Sequence, residues 1–107
     1  MIGQIVKVIV DRPLGSVHPK HKDILYSVNY GYVPGCLAPD GEEQDAYILG
    51  VYEPVAEFTG KVIAIIHRLD DVEDKWVVAP ENAPFTAEEI IAQIAFQEQY
   101  FQTEISM

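Results

Sequence analysis

Of 107 residues, one short stretch announces a helix, and it comes late. Thr86-Ala87-Glu88-Glu89 fits a capping box, in which the Thr86 hydroxyl and the Glu89 carboxylate satisfy reciprocal orphan amides of the first turn. Everything ahead of it reads as β-branched and apolar runs broken by Gly, Pro and Asp. Ile2 to Val10 predicts a strand that Asp11-Arg12-Pro13-Leu14-Gly15-Ser16 stops, and the polar stretch through Asp23 predicts an ordered loop. Ile24 to Val33 is again strand-like and ends at the turn signal Pro34-Gly35. After Asp40-Gly41 the sequence predicts a strand from about Asp45 to Val51, then Lys61 to Arg68, then a short one at Lys75 to Ala79. Beyond the capping box, Ile90, Ile91, Ile94, Phe101 and Ile105 fall in one broad helical stripe. Phe96 and Tyr100 fall on roughly the opposite side, where they either still touch the domain or meet a second subunit.

Five or six short strands followed by one helix predict a mainly β (α+β) architecture. The expected form is a small five- to six-stranded OB-like barrel with the C-terminal helix packed against it. The length suits one domain, residues 1–107. Such barrels host many chemistries, so function has to come from particular side chains.

Composition narrows the field. The longest apolar runs, such as Val62 to Ile66, are far too short to span a membrane, and Met1-Ile2-Gly3-Gln4 has no basic patch ahead of an apolar stretch. A lone cysteine, Cys36, excludes an internal disulfide framework and a cysteine-only metal site, so the cytoplasm is the expected compartment. Seventeen acidic residues against seven Lys and Arg give a net charge of −10, which argues against nucleic acid as partner. The charges are also segregated. Arg12, Lys20 and Lys22 lie close to His18 and His21, while the acids gather at Asp40 to Asp45 and Asp70 to Asp74. This pattern either keeps a surface soluble or builds a site with one cationic and one acidic wall.

Asp40-Gly41-Glu42-Glu43-Gln44-Asp45 holds four carboxylates at the entry to a strand. Two carboxylates about 5 Å apart repel by roughly 3 kcal/mol at an effective dielectric of 20. Such a cluster therefore splays into water, takes up protons or binds a cation, and oxygen-only ligation suits Mg²⁺ or Mn²⁺ over zinc. Asp70-Asp71-Val72-Glu73-Asp74-Lys75 reads alone as an acidic turn. It becomes part of a metal site if a small barrel brings the two strand ends together, with Lys75 as the cation for an anionic ligand. Tyr26, Tyr30 and Tyr32 share one face of an extended segment, either as packing or as phenols able to donate to phosphate oxygens. Gly31 among them marks a bulge or a close approach of another group. His18 and His21 are phosphate-facing or simply solvated, and His67 reads as structural.

Together these motifs resemble the soluble, Mg²⁺-dependent inorganic pyrophosphatases of the small β-barrel family. The resemblance rests on Tyr26-Ser27-Val28-Asn29-Tyr30-Gly31-Tyr32-Val33-Pro34-Gly35 followed by Asp40-Gly41-Glu42-Glu43-Gln44-Asp45. The family pattern there is a tyrosine-rich strand, then Asp-Gly-Asp, two residues and another Asp. Glu73-Asp74-Lys75-Trp76-Val77-Val78-Ala79-Pro80 and the segment through Glu98-Gln99-Tyr100 resemble its later elements. The resemblance implies Mg²⁺ held by Asp40, Asp45, Asp70 and Glu73, with Asp71 competing with Asp70 for its place. It implies that Glu42 handles the attacking water, that Tyr30 and Lys75 serve catalysis at the phosphates, and that Arg12, Tyr26 and Tyr100 bind substrate.

Departures from the pattern are specific. Glu42 is one methylene longer than the family's aspartate, Phe101 stands where the family carries a phosphate-binding lysine, and the family's acidic and lysine elements ahead of Tyr26 have no counterpart. Lys20 and Lys22, with His18 and His21, fall in that segment and are candidates to replace its positive charge. The expected function is hydrolysis of inorganic pyrophosphate to two phosphates by a metal-activated water, in a homo-oligomer. The alternative is a non-catalytic barrel of this kind that binds metal, phosphate or a protein partner. An oligonucleotide-binding barrel fits the strand count but conflicts with the charge.

Overall fold

The computed structural model describes residues 1–70 and 73–107; Asp71, a candidate ligand, lies outside the described residues. The elements are β1 (Ile5–Arg12), β2 (Asn29–Leu37), β3 (Glu43–Ile48), β4 (Glu57–Arg68), β5 (Asp74–Ala79), α1 (Ala87–Glu98) and β6 (Thr103–Ser106). The sheet runs β1-β2-β3-β5-β4-β6, and β1 also pairs with β4, so five strands close a barrel and β6 extends it. All pairings are antiparallel except β3 with β5, which run parallel with Ala46 beside Trp76. The mainly β barrel with one packed helix is the architecture that the strand and capping signals predict. No helix among the described residues is long and apolar enough to cross a membrane.

Strand alternation divides the apolar residues between two cores. Ala46, Ile48, Trp76, Val78, Val6, Val8, Val33 and Val62 fill the barrel. Tyr47, Leu49, Val77, Ala64 and Ile66 point outward, where Ile90 and Ile94 of α1 cover them. The helix starts as its sequence requires: Thr86 caps it, with the Thr86 and Glu89 side chains each accepting from the other's backbone amide. Gly31 lies where β1 crowds β2; a Cβ there would sit 1.8 Å from the Ile9 carbonyl oxygen. Asn29, fully buried at the start of β2, ties two loops together, accepting from the Leu14 and Val55 amides and donating to the Glu53 carbonyl.

Several boundaries differ from the sequence reading. β2 starts at Asn29 and continues through Pro34-Gly35 to Leu37, because a register irregularity between Val33 and Leu37, with Gly35 at φ +78°, absorbs the proline and glycine. β4 begins at Glu57, and its first residues pair with β1. The helical stripe is wrong at its end. The helix stops at Glu98, and Ile105 lies on β6, paired with Ile66. β1 covers one edge of β4 only as far as Lys61, so Ile65–Arg68 leave an open hydrogen-bonding edge that the C-terminal segment satisfies. Ile91, expected on the buried stripe, is exposed, whereas Phe96 packs edge-on against Tyr26 and Tyr47.

Candidate functional site

The outward row that α1 covers changes character where the helix ends. Leu49, just past β3, and Tyr47 on it lie under the helix and Asp45 is next in that row; on β5, Val77 is followed outward by Lys75. Ala46 and Trp76 are register partners in the parallel pair, so the residues just before them stand side by side. Lys75 Nζ contacts Asp45 Oδ2 at 2.5 Å and Glu73 Oε2 at 3.1 Å. On β4 the same parity leads from Ala64 and Ile66 to Arg68. Arg68 binds Glu98 at the end of α1 with two parallel bonds, Nε to Oε1 at 2.9 Å and Nη2 to Oε2 at 2.7 Å. Its Nη1 donates to Glu73 Oε2 at 3.0 Å, and its guanidinium stacks on the Phe101 ring at 3.7 Å.

A continuous network results. Tyr26 donates to Gln97, Gln97 donates to Tyr47, and Tyr47 donates to Glu98. From Glu98 the chain runs through Arg68, Glu73 and Lys75 to Asp45. Three carboxylates therefore share two buried cations. Beside them opens a cavity of about 500 Å³ lined by Tyr30, Arg68, Glu73, Lys75, Gln97 and Tyr100, with His18, His21 and Asp23 on the facing loop.

Burial and neighbouring charge set the protonation states. Burial pushes the Tyr30 phenol well above its ordinary pKa, and the Asp45 carboxylate pushes the same way. Tyr47 is raised first by burial and then by Glu98. Burial alone would raise Glu98, but hydrogen bonds from Arg68 and Tyr47 outweigh it and hold the carboxyl below its usual value. The His18 pKa is lowered by burial, then by His21, Arg12 and Lys20.

The predicted residues fall into two sets. Tyr30, Lys75, Glu73 and Tyr100 line the cavity, and Asp45 joins through Lys75. Arg12 is the register partner of Tyr30, and Tyr26, its ring tilted against that of Tyr30 with centroids 5.6 Å apart, reaches the cavity residue Gln97. Lys20 and Lys22 are exposed on the loop that contributes His18 and His21 but are not in the lining. Asp40 and Glu42 are exposed on the turn before β3, where Asp40 Oδ1 accepts from the Glu42 amide. Asp70 is exposed after β4. His67 binds Asp74 and Ser106, tying β5 and β6 to β4.

Sequence reasoning passed over Arg68, Tyr47, Gln97 and Glu98. A signal was present: Gln97 and Glu98 are polar residues three and four positions past Ile94, on the stripe that α1 buries. Among the described residues no three His, Cys, Asp or Glu side chains converge as a metal-binding group. Asp45 and Glu73 nevertheless present oxygens to one cation, the Lys75 ammonium. Two such carboxylates are a donor set that Mg²⁺ uses when substrate oxygens and water complete its shell.

The fold is shared with solved structures. The chain is similar to the crystal structure of an inorganic pyrophosphatase from Neisseria gonorrhoeae, with 27% identity and a TM-score of 0.64, covering 88% of this chain and 71% of that one. It is similar in fold to the inorganic pyrophosphatase from Ehrlichia chaffeensis, with a TM-score of 0.74 at 16% identity over 99% of this chain and 87% of the other. The inorganic pyrophosphatase from Coxiella burnetii gives a TM-score of 0.68 at 16% identity, covering 99% of this chain and 86% of that chain. No protein-family model and no curated protein matches the chain.

Proposed function

We propose that this protein hydrolyses inorganic pyrophosphate, or a phosphoanhydride of similar size, in a Mg²⁺-dependent reaction that Mn²⁺ can also support. The observation that carries the reading is the meeting of Asp45, Glu73 and Lys75 beside Tyr30 at a cavity, in a fold resembling solved inorganic pyrophosphatases. Asp45 and Glu73 would hold Mg²⁺, which would offset negative charge on the phosphates and make water more acidic.

The chain's own groups have separate tasks. Lys75, with its side chain only 4% exposed, offers a fixed positive charge to a phosphate oxygen. Tyr30 keeps its proton because burial raises its pKa, so it donates a hydrogen bond rather than repelling the anion. Tyr100, exposed at the rim, meets the outer phosphate, and Arg12 and Tyr26 bind substrate from beside Tyr30 and Gln97. Lys20 and Lys22 add long-range attraction for a polyanion from the facing loop. Glu42 orients the attacking water, and Asp40 and Asp70 are further metal ligands in this reading.

Phosphate release from pyrophosphate, with and without Mg²⁺, tests the proposal. Asp45→Asn and Lys75→Met should each remove at least about 99% of the metal-dependent rate, as expected when a group stabilising transition-state charge is lost. Folded protein that releases phosphate no faster than buffer would overturn it, as would variants that retain the full rate. Glu42→Gln and Asp40→Asn report whether the exposed turn takes part. Sizing chromatography tests the homo-oligomer that belongs to the same reading.

A further inference from the structure

Arg68 has no assigned task in the reading above, yet it is the most firmly held cation of the cavity. Its side chain is 6% exposed, Glu98 fixes two of its three nitrogens, and Phe101 covers its plane. The third nitrogen, Nη1, points to Glu73 Oε2, the same oxygen that Lys75 Nζ contacts. One carboxylate oxygen thus bridges a guanidinium and an ammonium, an arrangement suited equally to an oxygen of a phosphate group. Glu73 is the most exposed member of the trio, at 31%, and all three line the cavity.

We propose that Arg68 Nη1 and Lys75 Nζ form an oxyanion subsite for a phosphate group, which the Glu73 carboxylate occupies in the free protein. Charge balance supports the exchange. When Glu73 gives way, Arg68 keeps Glu98 and Lys75 keeps Asp45, so neither buried cation loses its last partner. The arriving phosphate replaces one anion with another, on donors already oriented before it binds. Arg68 then stands in for the cation that is missing where Phe101 follows Tyr100, and Phe101 becomes the platform that aims it. The choice of phosphate as ligand rests on the proposed function; the existence of an anion subsite does not.

The test is binding of inorganic phosphate, measured by calorimetry in EDTA, where no turnover occurs. Glu73→Gln removes the competing charge and should tighten the phosphate Kd about tenfold relative to the unchanged protein. In that background, Arg68→Gln combined with Glu98→Gln neutralises the buried pair together and should reduce affinity at least tenfold while circular dichroism still reports a folded barrel. Should that variant not fold, Arg68→Lys in the Glu73→Gln background replaces it, and loss of the fork should weaken phosphate at least threefold. Equal phosphate affinity in Glu73→Gln and the unchanged protein would overturn the subsite, as would undiminished affinity after the Arg68 changes. Absence of pyrophosphate hydrolysis would refute the proposed reaction and leave this binding result standing.

Discussion

Replacing Arg68 with methionine isolates the cost of a stranded buried charge. Glu98 is 4% exposed on its side chain and, among the described residues, would keep only the Tyr47 hydroxyl as a side-chain hydrogen-bond partner. Removing one member of a buried ion pair costs about 3–5 kcal/mol. The remaining Tyr47 bond and the stem contacts of methionine argue for the lower end, about 3 kcal/mol at pH 7, against a total stability on the order of 5–15 kcal/mol. The sign with pH is specific. In the unchanged protein the Glu98 pKa is depressed, so its contribution is fully present above the unfolded value of about 4.3 and fades as pH falls below it. In Arg68→Met burial acts without the guanidinium and raises the Glu98 pKa above that unfolded value. The variant therefore loses stability as pH climbs from about 4.3, and its deficit is larger at pH 7 than near pH 4.5. Urea unfolding at both pH values reads this directly, and Arg68→Met with Glu98→Leu should recover most of the loss. A deficit below about 1 kcal/mol at pH 7, or one equal at both pH values, would refute the reasoning.

Three further outcomes follow from the geometry. Gly31→Ala places a Cβ 1.8 Å from the Ile9 carbonyl oxygen, so β1 and β2 must separate; the expected loss exceeds about 3 kcal/mol in urea unfolding. Thr86→Ala removes half of the capping box and should cost about 1 kcal/mol in the same measurement. Tyr30 and Tyr47 have raised pKa values, so the stability they contribute is complete below their unfolded value of about 10 and is lost as pH rises through the folded ones. Tyrosinate absorbance during alkaline titration should accordingly fall short of all six phenols until the protein unfolds.

What the sequence reveals depends on whether the cause is local. The capping box at Thr86 and the β-branched run ending at Arg68 need no distant partner, and both produce the expected elements. Gly31 reads as a bulge or a close approach because a glycine inside a strand is itself unfavourable, and the structure shows the second, with the Ile9 carbonyl as the group that approaches. Phe101 and Ile105 misread as helix because a 3.6-residue pattern says nothing about an open sheet edge waiting at Ile65–Arg68. The site shows the same limit. Tyr30, Asp45, Glu73 and Lys75 stand out by residue type, but that Asp45 and Lys75 are neighbours depends on a parallel pairing of two non-consecutive strands. Arg68 and Glu98 each look like ordinary surface charges until α1 is docked on β4.

The docking of α1 also explains why the charges collect where they do. A helix C-terminus carries partial negative charge and unpaired carbonyls, and cationic side chains in the last turn usually answer it. The last turn of α1 has no basic residue and adds a carboxylate, Glu98. The compensating cation comes instead from β4, whose outward row passes from Ala64 and Ile66 beneath the helix to Arg68 at its end. The alternation that buries Tyr47, Val77 and Ile66 under α1 therefore delivers Asp45, Lys75 and Arg68 one step beyond the helix, on three strands whose spacing the barrel fixes. A site built this way owes its precision to strand register, so disturbing the parallel β3–β5 pairing should separate Asp45 from Lys75 even when no residue of the cavity is changed.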